Sequence, residues 1–499
     1  MIPLFDPEIQ DLLEIVLKAT PAGKNIYLVG GAVRDLLLDQ QIKDLDFVCE
    51  GETYRLSQAV KRALHAQAFI LDDERQTARV IHDLKDGNKI LLDFVTFTGK
   101  DLGQDLQNRD FTINAMAMNL HALHQLIDPM SGKVDLENHM IRVCSPNSIH
   151  DDPLRVMRGV RLVLSYGLEI EPQTLILMRE ASSDLAQASA ERKRDELFKI
   201  LGLDEPDKAI RLLDDLNCLP GVLPELTLLK QVPASPPHIH TLWEHTLHVV
   251  KYLNIILYAI DKDQSWRDLP AFESMTAHLW RFQPELKEHL AVSHLEGRPR
   301  SRMALLGALY HDTGKPPETM TEGTDRRLHY YGHADESTLA IEQRASGLCL
   351  SNQEVSWLAG IARNHMRVHH LAGKGELPSA RTIYRYFRDT EESGIDICLL
   401  SLADTLATYE DTLNQDQWLN EIKVVECLFE AWWHQREEVI QPPKLFDGND
   451  LQQICDLIPG PIFAEVLEAL REAQVIKQVQ TREEAEAFVT SFLNKTRID

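Results

Sequence analysis

The stretch Leu28-Val-Gly-Gly-Ala-Val-Arg-Asp35, followed by Lys43-Asp-Leu-Asp-Phe47, decides how the chain is read. Ile26 to Val29 is a short apolar run that suits a buried strand. Gly30 and Gly31 remove two side chains at the turn that follows, so backbone can approach a phosphate. Arg34 and Asp35 fall on the first helical turn after it. Asp44 and Asp46 are two residues apart in a strand pattern, so both carboxylates share one face, with Leu45 and Phe47 on the other. Two such carboxylates suit Mg²⁺, which is commonly held by one or two carboxylates plus substrate phosphates.

The remainder of the N-terminal region continues as mixed strand and helix. Asp6 to Ala19 has helical spacing, as does Glu52 to Ala66. Residues 68–71, 78–81 and 89–95 read as strands, with a turn at Asp86-Gly-Asn88. Asp93 lies in the last of these, where a neighbouring strand could bring it to Asp44 and Asp46. Asp110, in Gln107-Asn-Arg-Asp-Phe-Thr-Ile-Asn-Ala-Met116, is placed as a helix N-cap. Residues 141–144 read as a closing strand. From Asp151-Asp-Pro-Leu-Arg-Val-Met-Arg158 onward the pattern is helical, which puts Asp152, Arg155 and Arg158 on one face. Helices are also expected over 190–201 and 209–219. Val232-Pro-Ala-Ser-Pro-Pro237 is a proline-rich break.

Together, Gly-Gly-x-x-Arg-Asp, Asp-x-Asp and the Arg109–Ala115 stretch resemble the class II tRNA nucleotidyltransferases and bacterial poly(A) polymerases, over roughly residues 25 to 225. That resemblance implies metal-holding, catalytic Asp44 and Asp46; Asp93, from its place in the neighbouring strand, is the candidate third catalytic carboxylate. It implies nucleotide binding by Gly30, Gly31, Arg34, Arg109, Asp110, Asp152, Arg155 and Arg158. Arg109 would bond the triphosphate, where a guanidinium gives bidentate, charge-assisted bonds. Asp152 and Arg155 would read the Watson–Crick edges of CTP and ATP. Two positions depart from the family: Asn108 stands where an Arg is frequent, and Asp151 replaces a Glu.

The second half carries a separate series: His245 in Trp-Glu-His-Thr, His311-Asp312 in Tyr-His-Asp-Thr-Gly-Lys, His333, His365 and Asp404. His-Asp-x-Gly-Lys closing an apolar helix, with histidines before and after and a late Asp, resembles the HD-type metal phosphohydrolases over about residues 239 to 407. Imidazole and carboxylate donors suit a transition metal, here Ni, Mn, Fe or Co. Lys315 could hold a phosphate.

Composition sets the remaining bounds. The chain has 499 residues, enough for several domains, and is 44% hydrophobic and 26% charged. The net charge of −25 is a poor global fit to a nucleic-acid binder, yet local potential governs binding. Arginines and lysines between Arg142 and Arg194 supply the best candidate surface for phosphates. No apolar run of roughly 18 residues exists, so no membrane span is expected. The N-terminus lacks a secretory pattern. Seven scattered cysteines without a Cys-x-x-Cys pair read as reduced core residues of a cytoplasmic protein.

The expected architecture is α+β: a nucleotidyltransferase head of mixed β-sheet and helices (1–145), then all-α neck (146–230), HD (238–410) and tail (411–499) domains. The expected activity is CCA addition to the tRNA 3′ end from CTP and ATP, with Mg²⁺ in the head and an additional HD phosphohydrolase activity. A-adding or CC-adding transfer and poly(A) synthesis are alternatives within the class. An HD phosphohydrolase with a nucleotide-sensing head is the alternative outside it. The expected partners are tRNA, ATP and CTP, with no membrane and no protein partner implied.

Overall fold

The computed structural model describes residues 5–73, 76–264, 270–293, 295, 297–315, 320–322, 328–330, 332–453 and 460–496. The chain divides into two compact units, residues 1–196 with 212–222, and residues 197–211 with 223–499.

The first unit is built on a seven-stranded sheet of order β3-β4-β5-β2-β1-β6-β7. The strands are β1 Ile26–Val29, β2 Asp44–Cys49, β3 Gln67–Asp72, β4 Thr77–Asp83, β5 Lys89–Thr96, β6 Ala117–Asn119 and β7 Leu126–Ile127. Only β2 and β5 pair in parallel; every other pairing in the sheet is antiparallel. Alternation drives the packing: Leu45, Phe47, Leu92 and Phe94 are fully buried on one face. The Phe47 and Phe94 rings stack there at 5.1 Å. The leading helix Pro7–Ala19 is capped by the Asp6 carboxylate on the Glu8 N–H and buries Ile9, Leu12, Leu13 and Val16.

Three local expectations are corrected. Asp110 does not cap a helix; a short 3₁₀ turn, Thr112–Asn114, follows Phe111 instead. The buried Asp110 carboxylate has a stronger partner, Arg158, at 2.7 Å. The segment 141–144 does not close the sheet. Met140–Ile141 pairs with Glu169–Ile170, and the backbone beyond is drawn to the Arg109–Ala115 stretch by Thr112 N–H to Arg142 O and Cys144 N–H to Asp110 O. The helix expected from Asp151 begins at Arg155, after a short turn Ser148–Asp151. Pro153 forces Asp152 into extended backbone, φ −149° and ψ 93°. Asp152 therefore precedes the helix on which Arg155 and Arg158 lie.

Among the described residues, the regular structure of the second unit is helical apart from a two-stranded ribbon, Met320–Glu322 with Leu328–Tyr330. At its centre is the helix Ser393–Tyr409, buried from Ser393 to Thr408 and apolar but for its Asp, Ser and Thr residues. Leu242–Asp261, Arg300–Tyr310 and Asn352–Asn364 pack around it. Arg300–Tyr310 is buried along its last two turns and delivers His311 and Asp312 at its end. No described helix is long and apolar enough to cross a membrane. Cys49, Cys144, Cys218 and Cys398 are buried, but Cys349 is exposed, contrary to the core reading. Cys455 lies outside the described residues.

Gly314 fixes how the His-Asp turn meets the next helix. Its N–H donates to Ser337 Oγ at 2.8 Å. A Cβ there would fall 2.0 Å from His333 O and 2.7 Å from Ser337 N. We expect Gly314→Ala to destabilise the protein by about 1–3 kcal/mol, the usual scale of overpacking. Gly347→Ala, where a Cβ meets nothing within 4 Å, serves as control. Thermal unfolding of the two variants checks this; equal melting temperatures would refute the tight junction.

Candidate active site and candidate metal centre

The parallel register of β2 and β5 sets Asp46 directly opposite Asp93. Asp44 is exposed at the start of β2 and Asp46 is partly buried. Burial, then the neighbouring Asp93 and Asp44 charges, push the Asp46 carboxyl up to about 6, against the lowering pull of Arg109 and Arg158. Three carboxylates gathered at one strand end form a donor set that fits a hard divalent cation. Asp93 already accepts two bonds from Arg79, both at 2.7 Å. Arg79 thus neutralises Asp93.

The glycine turn closes on this site. Gly30 has φ +71°, and a Cβ on it would lie 3.1 Å from Arg109 Nη1 and 3.4 Å from Asp46 Oδ2. The bare Cα lets β1 end against both side chains. Gly31 begins the next helix, and a Cβ there would press on Arg34 Nη2 at 3.3 Å. Arg109 is held only loosely, by Asp105 at 3.2–3.3 Å.

Arg34 is differently placed. It is buried, and its guanidinium makes four hydrogen bonds, to Asp35, Asn114 and Tyr166. It also stacks over the Tyr166 ring at 4.3 Å. The Tyr166 hydroxyl donates to Asp35 in turn. Arg34 thus braces the glycine turn from within the fold.

Asp110 is buried and pairs with the partly exposed Arg158. Burial would raise the Asp110 carboxyl, but Arg158 and the Phe111 N–H pull it down to about 2. Arg155 donates to three backbone carbonyls, those of Asn108 at 2.9 Å, Ser148 at 3.1 Å and Arg109 at 3.3 Å. Asp152 Oδ2 accepts from Arg192 at 2.6 Å. Arg192 belongs to the arginine cluster read as a phosphate surface, whereas Arg79, Asn114 and Tyr166 were not singled out from the sequence. Each is an ordinary polar residue whose partner is brought close only by the fold.

In the second unit the histidines converge. His311 Nδ1 bonds Ala308 O at 2.7 Å, His333 Nδ1 bonds Tyr330 O at 2.9 Å, and His365 Nδ1 bonds Ala362 O at 2.7 Å. In each ring Nδ1 carries the donated proton, so Nε2 is left as a lone pair. His333 and His365 Nε2 lie 3.6 and 3.4 Å from Asp312 Oδ1, and His311 Nε2 lies 3.3 Å from Asp312 Oδ2. Yet Asp312 Oδ1 and His311 Nε2 are buried without a hydrogen bond. His333 Nε2 and His365 Nε2 themselves meet at 3.3 Å. Imidazole and carboxylate atoms gathered on one point, two of them unpartnered, are what metal ligands present.

His245, His311 and Asp312 form one set with ligand atoms within 4.8 Å, and Asp312, His333 and His365 a second. Shared Asp312 would bridge two ions. Asp404 Oδ1 lies 3.0 Å from His245 Nε2, and its Oδ2 is 2.9 Å from His369 Nε2. Burial would lower His369, but Glu421 and Asp404 hold it up, at about 10. Glu421 is itself fixed by Ser401 and Thr405. Lys315 Nζ reaches Asp312 Oδ2 at 2.6 Å and lines a cavity of about 190 Å³ with His238, His240, His245, Tyr330 and His333. His369 and Glu421 escaped the sequence reading; the His369-His370 doublet was the available signal.

Comparison with known proteins agrees with the geometry of the first unit. Residues 26–142 match the family described as Poly A polymerase head domain. Residues 167–229 match that described as Probable RNA and SrmB- binding site of polymerase A. The chain is 28% identical to an A-adding tRNA nucleotidyltransferase of Deinococcus radiodurans, over 94% of this chain and 96% of that one. It is 29% identical to a CC-adding tRNA nucleotidyltransferase of Thermus thermophilus, over 93% of each. It is 31% identical to the Multifunctional CCA protein of Actinobacillus pleuropneumoniae, over 70% of this chain and 76% of that one. The fold is shared with a solved CCA-adding enzyme in complex with ATP, at a TM-score of 0.62 and 22% identity, covering 98% and 96% of the two chains. Head sheet, glycine turn, paired aspartates and relatives agree, and the chain belongs to the family of tRNA nucleotidyltransferases and poly(A) polymerases, enzymes of nucleotidyl transfer.

Proposed function

We propose that this chain adds CMP, CMP and AMP in turn to the tRNA 3′ end, using CTP and ATP and releasing pyrophosphate. The observation that carries the reading is the Gly30 turn, which brings Arg109 and Asp46 to one place beside Asp93 and Asp44. The family implies a divalent metal, and we assign Mg²⁺ to Asp44 and Asp46. Bound there, the cation would neutralise triphosphate charge and favour ionisation of the 3′-hydroxyl. Arg109 binds the phosphates, and its loose hold on Asp105 leaves its donors open to exchange. Arg34 keeps the turn in shape, so the phosphates meet a preorganised surface. Asp93, neutralised by Arg79, tunes Asp46. The 3′-oxygen attacks the α-phosphorus, the bond to the β-phosphate oxygen breaks, and pyrophosphate departs.

Asp152 and Arg155 are assigned to base selection, next to Arg158 and Asp110. The Asp152–Arg192 pair is partly exposed, and such pairs contribute little. A base edge can replace Arg192 at small cost. Arg155, through the carbonyls of Asn108 and Arg109, couples that choice to the phosphate ligand.

A second reading within the class, transfer of A alone or of CC alone, is favoured by the full-length similarity to relatives of those two kinds. Extension of tRNA transcripts ending before CCA, at C and at CC, with CTP and ATP supplied separately, distinguishes them. Addition of both nucleotides across the series supports the full activity. Growth only with ATP, or only with CTP, overturns it for the narrower one.

For the C-terminal unit we propose a metal-dependent phosphohydrolase, supported by the convergent imidazoles around Asp312. His245, His311, Asp312 and Asp404 hold one transition metal (Ni, Mn, Fe or Co), and Asp312, His333 and His365 a second. Metals bound there would supply a hydroxide at neutral pH. Lys315 would hold the phosphate, and a 2′,3′-cyclic or terminal phosphate on nucleotide or RNA fits this chemistry. We assign the domain divisions at 145, 230 and 410 on the same basis, and expect the protein in the cytoplasm.

Three outcomes follow. Asp46→Asn should abolish nucleotide addition yet stabilise the metal-free protein. The sign is fixed by its folded pKa of about 6, above the ordinary 3.8: above pH 6 the folded state carries the full cost of the charge, and Asn removes it. One pKa unit is worth about 1.4 kcal/mol; with solvent screening at this half-open site the gain is about 1–2 kcal/mol. Thermal unfolding in chelator at pH 8 reads it, and Mg²⁺ should stabilise the wild type alone. A less stable variant in chelator would contradict the charge-crowded site. Asp152→Ala should relax selection among the four nucleotides more than it slows addition, because a wrong base then leaves fewer buried groups unpaired; continued exclusion of UTP and GTP places selection elsewhere. His311→Ala with Asp312→Ala should remove Ni²⁺- or Mn²⁺-stimulated hydrolysis of 2′,3′-cyclic AMP and leave tRNA extension nearly unchanged. Persistent hydrolysis would reduce these histidines to a structural role.

A further inference from the structure

A second histidine cluster stands apart from the six ligands assigned above. His240 lies just before the helix Leu242–Asp261, His248 on its second turn, and Glu410 directly after the helix Ser393–Tyr409. Glu410 Oε2 is 3.2 Å from His240 Nε2, and Glu410 Oε1 is 3.1 Å from His248 Nδ1. All three donor atoms fall within 4.8 Å of one another. The two imidazoles meet edge to face at 4.7 Å.

Hydrogen bonding alone accounts for half of this. His240 and Glu410 are aligned as a hydrogen bond. His248 Nδ1, at a similar distance, is buried and makes none. The same misalignment at short range marks His245, His311 and Asp312 in the neighbouring centre. Carboxylate and imidazole directed at a shared third atom, rather than at each other, produce it.

We propose that His240, His248 and Glu410 form a further metal site for a borderline first-row divalent cation, with Zn²⁺ the best fit. Two imidazoles and one carboxylate are a tetrahedral zinc donor set with one position open. The side chains are 32%, 25% and 26% exposed, so that position faces solvent.

The scaffold is the one that builds the neighbouring centre. His245 and His248 are three residues apart, about 4.5 Å along the helix axis. Asp404 lies on the helix Ser393–Tyr409 that Glu410 terminates, six residues before it. The helix pair that brings His245 to Asp404 therefore brings His248 to Glu410. His240 also lines the cavity that Lys315, His245 and His333 line. The open position consequently suits an oxygen ligand entering that cavity, such as a phosphate. The ligand set shares no residue with the HD centre, so its existence does not depend on phosphohydrolase activity there.

Metal counting tests the proposal. Full-length protein is stripped with chelator, reconstituted with Zn²⁺, freed of excess and assayed for bound metal per chain. His248→Ala and Glu410→Gln should each lose one equivalent relative to wild type. His311→Ala with Asp312→Ala should keep that equivalent while losing its own. In Co²⁺-loaded protein, the visible d–d band of the low-coordinate ion should fall in His248→Ala and persist in the HD double variant. Circular dichroism verifies folding, and Glu410→Gln, which preserves side-chain size, serves if His248→Ala does not fold. Wild-type metal content and spectrum in Glu410→Gln would overturn the site, whatever the HD variant shows.

Discussion

Everything proposed for the head rests on one constraint, the parallel register of β2 and β5. It sets Asp46 against Asp93 and so places negative charges where each raises the cost of the next. A one-residue slip would turn Asp46 into the core and Phe47 out of it. The stacked Phe47 and Phe94 rings on the opposite face hold the register. Apolar packing on one face thus fixes the electrostatics of the other, and the charge crowding becomes a demand for a cation.

The second unit solves a related problem with helices. Its ligands lie at helix ends and turns, and backbone carbonyls three residues upstream fix the tautomers of His311, His333 and His365. The chain's own helical geometry therefore orients the rings. Around Asp404 the orientation passes outward through His369 to Glu421, Ser401 and Thr405. Such layered support is what a metal site needs to keep its ligands aimed.

Much of this was legible in the sequence. Strands β1 to β5 follow from apolar runs and alternation, and the Asp44/Asp46 face from a period of two; the short β6 and β7 were not read. The helix ending in His311-Asp312 follows from its apolar run. What escaped was non-local or governed by competition. Pro153 ended the helix pattern at Asp152, a local rule outweighed in the reading by the three-residue spacing of Asp152, Arg155 and Arg158. Asp110 has the side chain of a cap, but an arginine 48 residues away claims it. Arg34 reads as a phosphate ligand by motif, yet Asn114 and Tyr166 occupy its donors. Arg79 and Glu421 gain meaning only through strands and helices distant in sequence.

The central claim is that Asp44 and Asp46 hold the cation that meets the triphosphate. Anomalous X-ray scattering from crystals of the protein soaked with Mn²⁺ and a non-hydrolysable CTP analogue tests it directly. The account predicts a manganese peak within bonding distance of both carboxylates, with the phosphates on the same ion and Arg109 against them. A nucleotide bound with no metal at these residues, or a metal held elsewhere in the head, would contradict it.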